Sequence, residues 1–409
     1  MQGPVDRPVN LPDHKQCYGC GACAAVCPRQ AITLKFSDSG FLVPFANEEL
    51  CIQCGKCKDA CPVINPPGFG AVDQIPPFAA WSKSSKLRRV SSSGGAALSL
   101  AGDFLSKGYS LTGAVFERDF RSVKHVIARS VEDLFETVGS KYVQSNVSSA
   151  MRQIIDSGHC RELSHQGDRH IFFGTPCQVA GLRRLLNSVG QDGPGSTQFF
   201  LVDFFCHGVP SYLAWWAFLD EVVIPHTGRL EYIDFRDKSQ GWTNYSLVCS
   251  GLKGTYLSEF GHTIFGQLFL SDFCLRDSCY TCPYRSTSAA DLRIGDFWGH
   301  EFDRDAMGVS LIVPITEKGF AAVEENANLV LRSVPLSLLY ESQPLILRPA
   351  LRVPTERKNV MAKLGQGTPL DDIYKTYLER GHKKRLFRRR VSRLLPPSLK
   401  KVAKLMARG

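Results

Sequence analysis

No stretch of the 409-residue chain approaches 18 uninterrupted apolar residues, so the sequence offers no membrane-spanning helix. It has no Gly-x-Gly-x-x-Gly fingerprint and no Walker loop, which removes the standard dinucleotide and nucleoside-triphosphate cradles. The N-terminal residues lack the charged start, apolar centre and small-residue cleavage site of a secretory leader, and the expected compartment is cytoplasmic. Acidic residues are missing from positions 383–409, which hold 11 Lys or Arg. Residues 1–382 then carry 38 basic against 39 acidic side chains, so the net charge of +10 belongs to a tail on a near-neutral body. That body, with no aromatic platform interleaving the tail charges, argues against nucleic acid as a partner. An apolar content of 44% with 22% charged residues excludes a mainly disordered or all-membrane chain.

Cysteine is what the chain has in excess: 15 residues, eight between Cys17 and Cys61 and seven between Cys160 and Cys282. In a cytosolic chain so many thiols point to metal or redox chemistry before disulfides. The spacing Cys17-x2-Cys20-x2-Cys23-x3-Cys27-Pro28 recurs as Cys51-x2-Cys54-x2-Cys57-x3-Cys61-Pro62, displaced by 34 residues throughout. This is the bacterial ferredoxin run, in which three cysteines bind one 4Fe–4S cluster and the fourth reaches the other. Cys17, Cys20, Cys23 and Cys61 are therefore expected at one cluster, and Cys51, Cys54, Cys57 and Cys27 at the second. Gly19, Gly21 and Gly55 suit loops that bring backbone N–H groups close to sulfur. Zinc is the competing reading, but it usually separates two Cys-x-x-Cys pairs by a long insert. Short strands at Ala31–Phe36 and Gly40–Phe45 flank a turn between the cluster loops. Prolines at 66, 67, 76 and 77 end this unit near residue 70.

From residue 71 to about 360 the pattern is that of an α/β domain. Ile171–Phe173 runs into Gly174-Thr175-Pro176-Cys177 and a helical Gln178–Asn187 segment, and the apolar Phe199–Phe205 ends at Cys206-His207-Gly208. Strand, polar turn and helix in that order place ligands at the turn. Ser91-Ser92-Ser93-Gly94-Gly95 before a helical Ala96–Leu105 is the candidate anion cradle, against a plain helix cap. Gly139–Ser145 adds Lys141 for a phosphate and Tyr142 for a ring. Cys274-x4-Cys279-x2-Cys282-Pro283 supplies three further ligands of a third cluster, and Cys177 and Cys206 both qualify as the fourth; four-Cys zinc and free thiols are the competing readings. Cys160 and Cys249 read as packing. Asp296, at the end of an alternating strand, reads equally as a proton donor or cofactor-hydroxyl partner and as a turn aspartate.

Taken together, SSSGGAALSL (91–100), GSKYVQS (139–145), GTPCQVAGLR (174–183), DFFCHGVPS (203–211), FRDKSQGW (235–242) and CLRDSCYTCPY with ADLRIGDFWG (274–299) resemble the family of beta subunits of coenzyme F-420-reducing hydrogenases and dehydrogenases. The resemblance covers about residues 15–350. It implies a flavoprotein with a third 4Fe–4S cluster, and FAD contacts at Ser91–Gly95, Lys141, Tyr142, Gly174 and Thr175. It also implies an organic hydride donor or acceptor and a redox partner such as ferredoxin, and surface-polysaccharide metabolism as a context. A non-catalytic electron-transfer subunit is the alternative. The expected architecture is mixed α/β: a ferredoxin-like domain (1–70), a flavin-binding domain (71–360) and a basic helical tail (361–409). In the tail, Lys383–Leu395 and a helix at Leu399–Ala407, split by Pro396-Pro397, alternate basic and apolar residues, which suits an anionic membrane surface better than bulk solvent.

Overall fold

The computed structural model describes residues 11–159, 169–191, 198–348 and 350–394. Its frame is a nine-stranded mixed sheet. In spatial order the strands are Leu329–Ser333, Phe78–Ser82, Ser310–Pro314, Leu292–Asp296, Phe199–Phe204, Arg169–Gly174, Tyr109–Phe116, Val123–Ala128 and Ser145–Asn146. Four central neighbours, from Leu292–Asp296 to Tyr109–Phe116, run parallel, with antiparallel strands beyond them on either side. Parallel strands buried on both faces read as continuous apolar runs, which is why Ile171–Phe173 and Phe199–Val202 lack alternation. Successive side chains still point to opposite faces. Ile171 and Phe173 join one apolar cluster with Leu100 and Phe104 of the helix Ala96–Ser106. Phe172 joins another with Val179 and Leu182 of the helix Pro176–Ser188. A three-stranded sheet, Leu230–Asp237, Ser246–Gly251 and Gly254–Glu259, packs beside this frame around Trp215, Phe235 and Phe265.

The N-terminal unit contains two short helices, Ala22–Val26 and Lys56–Asp59, and the antiparallel hairpin Ile32–Phe36 with Leu42–Ala46. It is fastened to the body rather than tethered to it. Cys20, Ala22 and Ala25 share the apolar cluster of Leu182 and Leu185. The Leu42 N–H donates to Gln144 Oε1 at 2.8 Å. Within the proline-rich connection, Gly70–Ala71 pairs with Thr287–Ser288, and Val72 is buried.

At the other end, Val360, Leu364, Leu370, Ile373 and Leu378 are buried in the cluster of Trp215 and Phe218, so the chain past residue 360 is still core. A helix, Glu379–Leu394, then carries the exposed Lys383, Leu386 and Phe387. Pro396-Pro397, the helix expected at Leu399–Ala407, and Cys160 lie outside the described residues. Among the described residues no helix is long and apolar enough to cross a membrane. Cys249, expected to pack, is fully buried in the main apolar cluster.

Candidate functional site: three thiol groups and a cavity

The first run turns through Gly19 (φ 66°) and Gly21 (φ 80°), left-handed conformations that favour glycine. A side chain at Gly19 would also collide with Gln144 and the Leu42 carbonyl. This loop gathers Cys17, Cys20 and Cys23, and Cys61 arrives from the second run. Burial pushes the Cys20 and Cys23 thiols well above their ordinary range, and the neighbouring Cys17 and Cys61, with Cys20 also acting on Cys23, push in the same direction. Cys57 is raised by burial and then by Cys27, Cys51 and Cys54, which form the second group. Cys51 and Cys54 are exposed, so this group is the outermost.

A third group forms from Cys177, Cys206, Cys279 and Cys282. Burial raises each thiol; Cys279 and Cys282 add to it at Cys177, and those three thiols add to it at Cys206. Both residues that spacing leaves as alternatives therefore belong to the set. Cys274 does not. It is fully buried in the apolar cluster, and no thiol is among the causes of its own raised pKa. The reason is local. The chain at 274–276 runs along 209–211, with Ser211 N–H donating to the Cys274 carbonyl and Arg276 N–H to the Val209 carbonyl. It reaches the thiol group only within the helical turn Asp277–Tyr280, at Cys279. Among the described residues no three His, Cys, Asp or Glu close around a single metal ion.

The first and third groups are held close by one helix. Cys177 lies in the first turn of Pro176–Ser188, and one turn later a side chain at Gly181 would stand 2.8 Å from Cys20 Sγ. Tyr18 lies between the groups: burial and then Cys282, Cys177, Cys20 and Cys61 push its hydroxyl up to about 12. Its ring meets Tyr284 edge-on at 5.4 Å.

Cys177 and Cys206 also line a cavity of about 640 Å³ at the carboxyl ends of the central parallel strands. Ser91, Ser92, Ser93, Gly95, Lys141, Tyr142, Gly174, Thr175 and Asp296 line the same space. Gly94 does not. It is pressed against the sheet, where an added Cβ would lie 2.6 Å from the Ala80 carbonyl and the Ser310 nitrogen. The serine hydroxyls shape the loop: Ser91 donates to the Leu87 carbonyl, Ser93 to the Val309 carbonyl, and Ser92 pairs with Ser140. Lys141 Nζ donates to the carbonyls of Thr137, Val138 and Gly139, using all three of its donors. What remains for an anion is the start of the helix Ala96–Ser106, which has Gly95 as cap, no capping side chain, and Ala96 and Ala97 at the cavity wall.

Asp296 is engaged by Arg236 at 2.9 Å and by the indole of Trp242 at 3.4 Å. Arg236 escapes the sequence reading, although it stands in the FRDKSQGW segment. It is buried, reaches the Tyr142 hydroxyl at 3.2 Å and lies 3.8 Å over the Tyr245 ring. Two residues on, Lys238 ties the carbonyls of Arg88, Ser93 and Met307 together, bracing the serine loop. An arginine beside a lysine in a ligand-facing segment is the signal that could have found it.

His125, also at the cavity wall, interacts through Nε2 with the Phe173 carbonyl at 3.0 Å, and burial brings it down to about 4. Its unfolded value is higher, so protons bind the unfolded chain first and stability falls as pH drops from about 6.5 toward 4. We expect His125 to cost about 2 kcal/mol between pH 7 and 5. Urea midpoints should show this acid limb in the wild type and its flattening in His125→Asn; identical limbs would refute it.

Residues 16–65 match a family profile described as a 4Fe-4S dicluster domain. Residues 77–152 match the profile for the N-terminal part of the coenzyme F420 hydrogenase/dehydrogenase beta subunit, and residues 167–335 match the profile for its C terminus. The chain belongs to the family of coenzyme F420 hydrogenase/dehydrogenase beta subunits. As a member of this oxidoreductase-related family it carries an iron–sulfur dicluster unit at its N-terminus. It is 26% identical over 186 residues to a component of the F(420)H(2) dehydrogenase of Methanosarcina mazei, covering 44% of this chain and 51% of that one. An uncharacterised protein of Methanocaldococcus jannaschii is 27% identical over 207 residues, covering 43% and 54%. The chain thus spans about half the length of these two relatives. A solved structure, the F420-reducing [NiFe] hydrogenase complex of Methanosarcina barkeri, contains a chain with 17% identity and a TM-score of 0.46, covering 71% of this chain and 98% of that one.

Proposed function

We propose that this family member is an FAD-dependent iron–sulfur oxidoreductase that moves electrons between its N-terminal thiol groups and a flavin in the cavity, and exchanges hydride there with an organic molecule. The observation that carries this reading is that two thiols of the third group, Cys177 and Cys206, and an uncapped helix start line one cavity. FAD supplies the conversion between two-electron hydride transfer and the single-electron steps that 4Fe–4S clusters accept. The residues present fit both groups. The four thiols of Cys177, Cys206, Cys279 and Cys282 match a cluster's ligand number. Ala96 and Ala97 present backbone N–H groups to a pyrophosphate. Tyr142, Tyr245 and Trp298 supply aromatic surface at the cavity wall, and Arg236 holds Tyr142, Tyr245 and Asp296 in place.

On this reading the exposed loop of Cys51 and Cys54 receives electrons from a carrier protein such as ferredoxin, and the close approach at Gly181 keeps the path short. The basic segment from Lys383 onward makes peripheral contact with anionic lipid. A second reading, an electron-transfer subunit whose catalytic partner lies elsewhere, is favoured by the half-length match to a relative named as a dehydrogenase component. Anaerobically purified protein is expected to hold about 12 iron atoms and one FAD per chain, three four-iron clusters in all. Tightly bound zinc without flavin absorbance would overturn the proposal. Screening flavin reoxidation with sugar-linked compounds and coenzyme F-420 side by side separates the two readings: a chain that reduces dyes but no metabolite is a transfer subunit.

A further inference from the structure

Four arginines act on the third thiol group: Arg276, Arg285, Arg293 and Arg357. Two of them have acidic partners. Arg293 pairs with Asp203 at 2.6 Å, and Arg357 with Asp277 at 3.0 Å. The other two are held by main chain. Arg276, 2% exposed, donates to the carbonyls of Cys17 and Leu42 at 2.8–3.1 Å. Arg285, 7% exposed, donates to the carbonyls of Cys279 and Tyr280. Among the described residues no carboxylate pairs with either. A guanidinium does not deprotonate in a protein, and burying one without a counter-charge is costly. Carbonyl dipoles offset part of that, and an anionic cluster at the neighbouring thiols would offset more. Burial and neighbouring thiols raise Cys20 and Cys23 as they raise the third group, but no arginine is among the leading influences there; Arg276 touches the first group at the Cys17 carbonyl.

We infer that Arg276 and Arg285 raise the reduction potential of a cluster on Cys177, Cys206, Cys279 and Cys282 above that of the two N-terminal clusters. The inference rests on the reading that these four thiols hold a cluster. Reduction adds one negative charge, and two uncompensated cations beside the ligands favour the more negative state. Each step moves one electron: a reduced N-terminal cluster gives it up and returns to its oxidised form, the third site takes it, and no proton or bond changes. A one-electron carrier protein restores the donor. Electrons therefore run inward and collect at the cavity wall.

The test is an EPR-monitored redox titration of the holoprotein. The wild type is expected to show the third cluster with the highest midpoint. Arg285→Gln and Arg276→Gln are each expected to shift its one-electron equilibrium at least tenfold toward the oxidised form, 59 mV. Arg285→Lys should keep most of the wild-type value, and the N-terminal midpoints should stay put in Arg285→Gln. An intact third cluster whose midpoint is unmoved in both Gln variants, or one lying lowest in the wild type, overturns the inference. The wild-type order decides even if the variants do not fold. Iron at about 8 per chain, unchanged by Cys279→Ser, instead removes the cluster reading and the inference with it.

Discussion

Cys279→Ser and Cys206→Ser proteins are expected to hold about 8 iron atoms per chain where about 12 are expected in the wild type, while Cys274→Ala should keep the full number. The contrast follows from position. Cys206 and Cys279 stand among the thiols of the third group. Cys274 is sealed in an apolar cluster with Tyr212, Trp215 and Leu275. Loss of Sγ there leaves a small cavity and should lower stability by about 1 kcal/mol without touching iron. Iron assay with the visible charge-transfer absorbance reads the outcome directly. A Cys274→Ala protein depleted of four irons would contradict the proposed ligand set.

The largest stability effect is expected at Asp203. Its carboxylate is fully buried at the centre of the sheet, bonded to Arg293 Nε and Nη2 at 2.7 and 2.6 Å and to Ser288 Oγ at 2.7 Å. Arg293 in turn holds the carbonyls of Arg285 and Thr287, the segment that follows Cys282. Removing one member of a buried pair leaves the other charge uncompensated, so Asp203→Ala is expected to destabilise by about 3–5 kcal/mol and to loosen the proposed third cluster. Asp203→Leu combined with Arg293→Met removes both charges and should recover part of that loss, limited by the carbonyls left without a donor. Denaturation midpoints for the wild type and both variants decide this; an Asp203→Ala protein within about 1 kcal/mol of wild type would contradict it.

These two sites also mark where sequence reading stops. The ferredoxin repeat is legible because its ligands are local and their spacing is itself the chemistry. The helix at Ala96 is legible from its serine and glycine cap, and the one after Ile171–Phe173 from strand and turn, although it begins at Pro176 and not at Gln178; the apolar runs at 171–173 and 199–204 declare buried strands. Membership of the third thiol group is not legible, because Cys177 and Cys206 come from different strand ends and meet the 279–282 loop only in the folded sheet. Spacing alone counts Cys274 in, since nothing local shows that residues 209–211 hold it in the core. Gly94 and Gly95 are indistinguishable as a pair of letters. In the fold one packs on the Ala80 carbonyl and the other, at φ 85°, opens the helix to the cavity. Lys141 reads as an anion ligand by residue type, but the end of its own loop claims its donors. Arg236 and the Asp203–Arg293 pair depend on contacts across 60 and 90 residues that no window contains.

Anaerobic stopped-flow reduction of the flavin by a low-potential one-electron donor, wild type against Cys279→Ser, tests the central claim most directly. Wild-type flavin is expected to bleach in step with the N-terminal clusters, and in the variant those clusters should reduce while the flavin lags at least tenfold behind. Flavin reduced equally fast in both proteins, or no flavin in either, would contradict it.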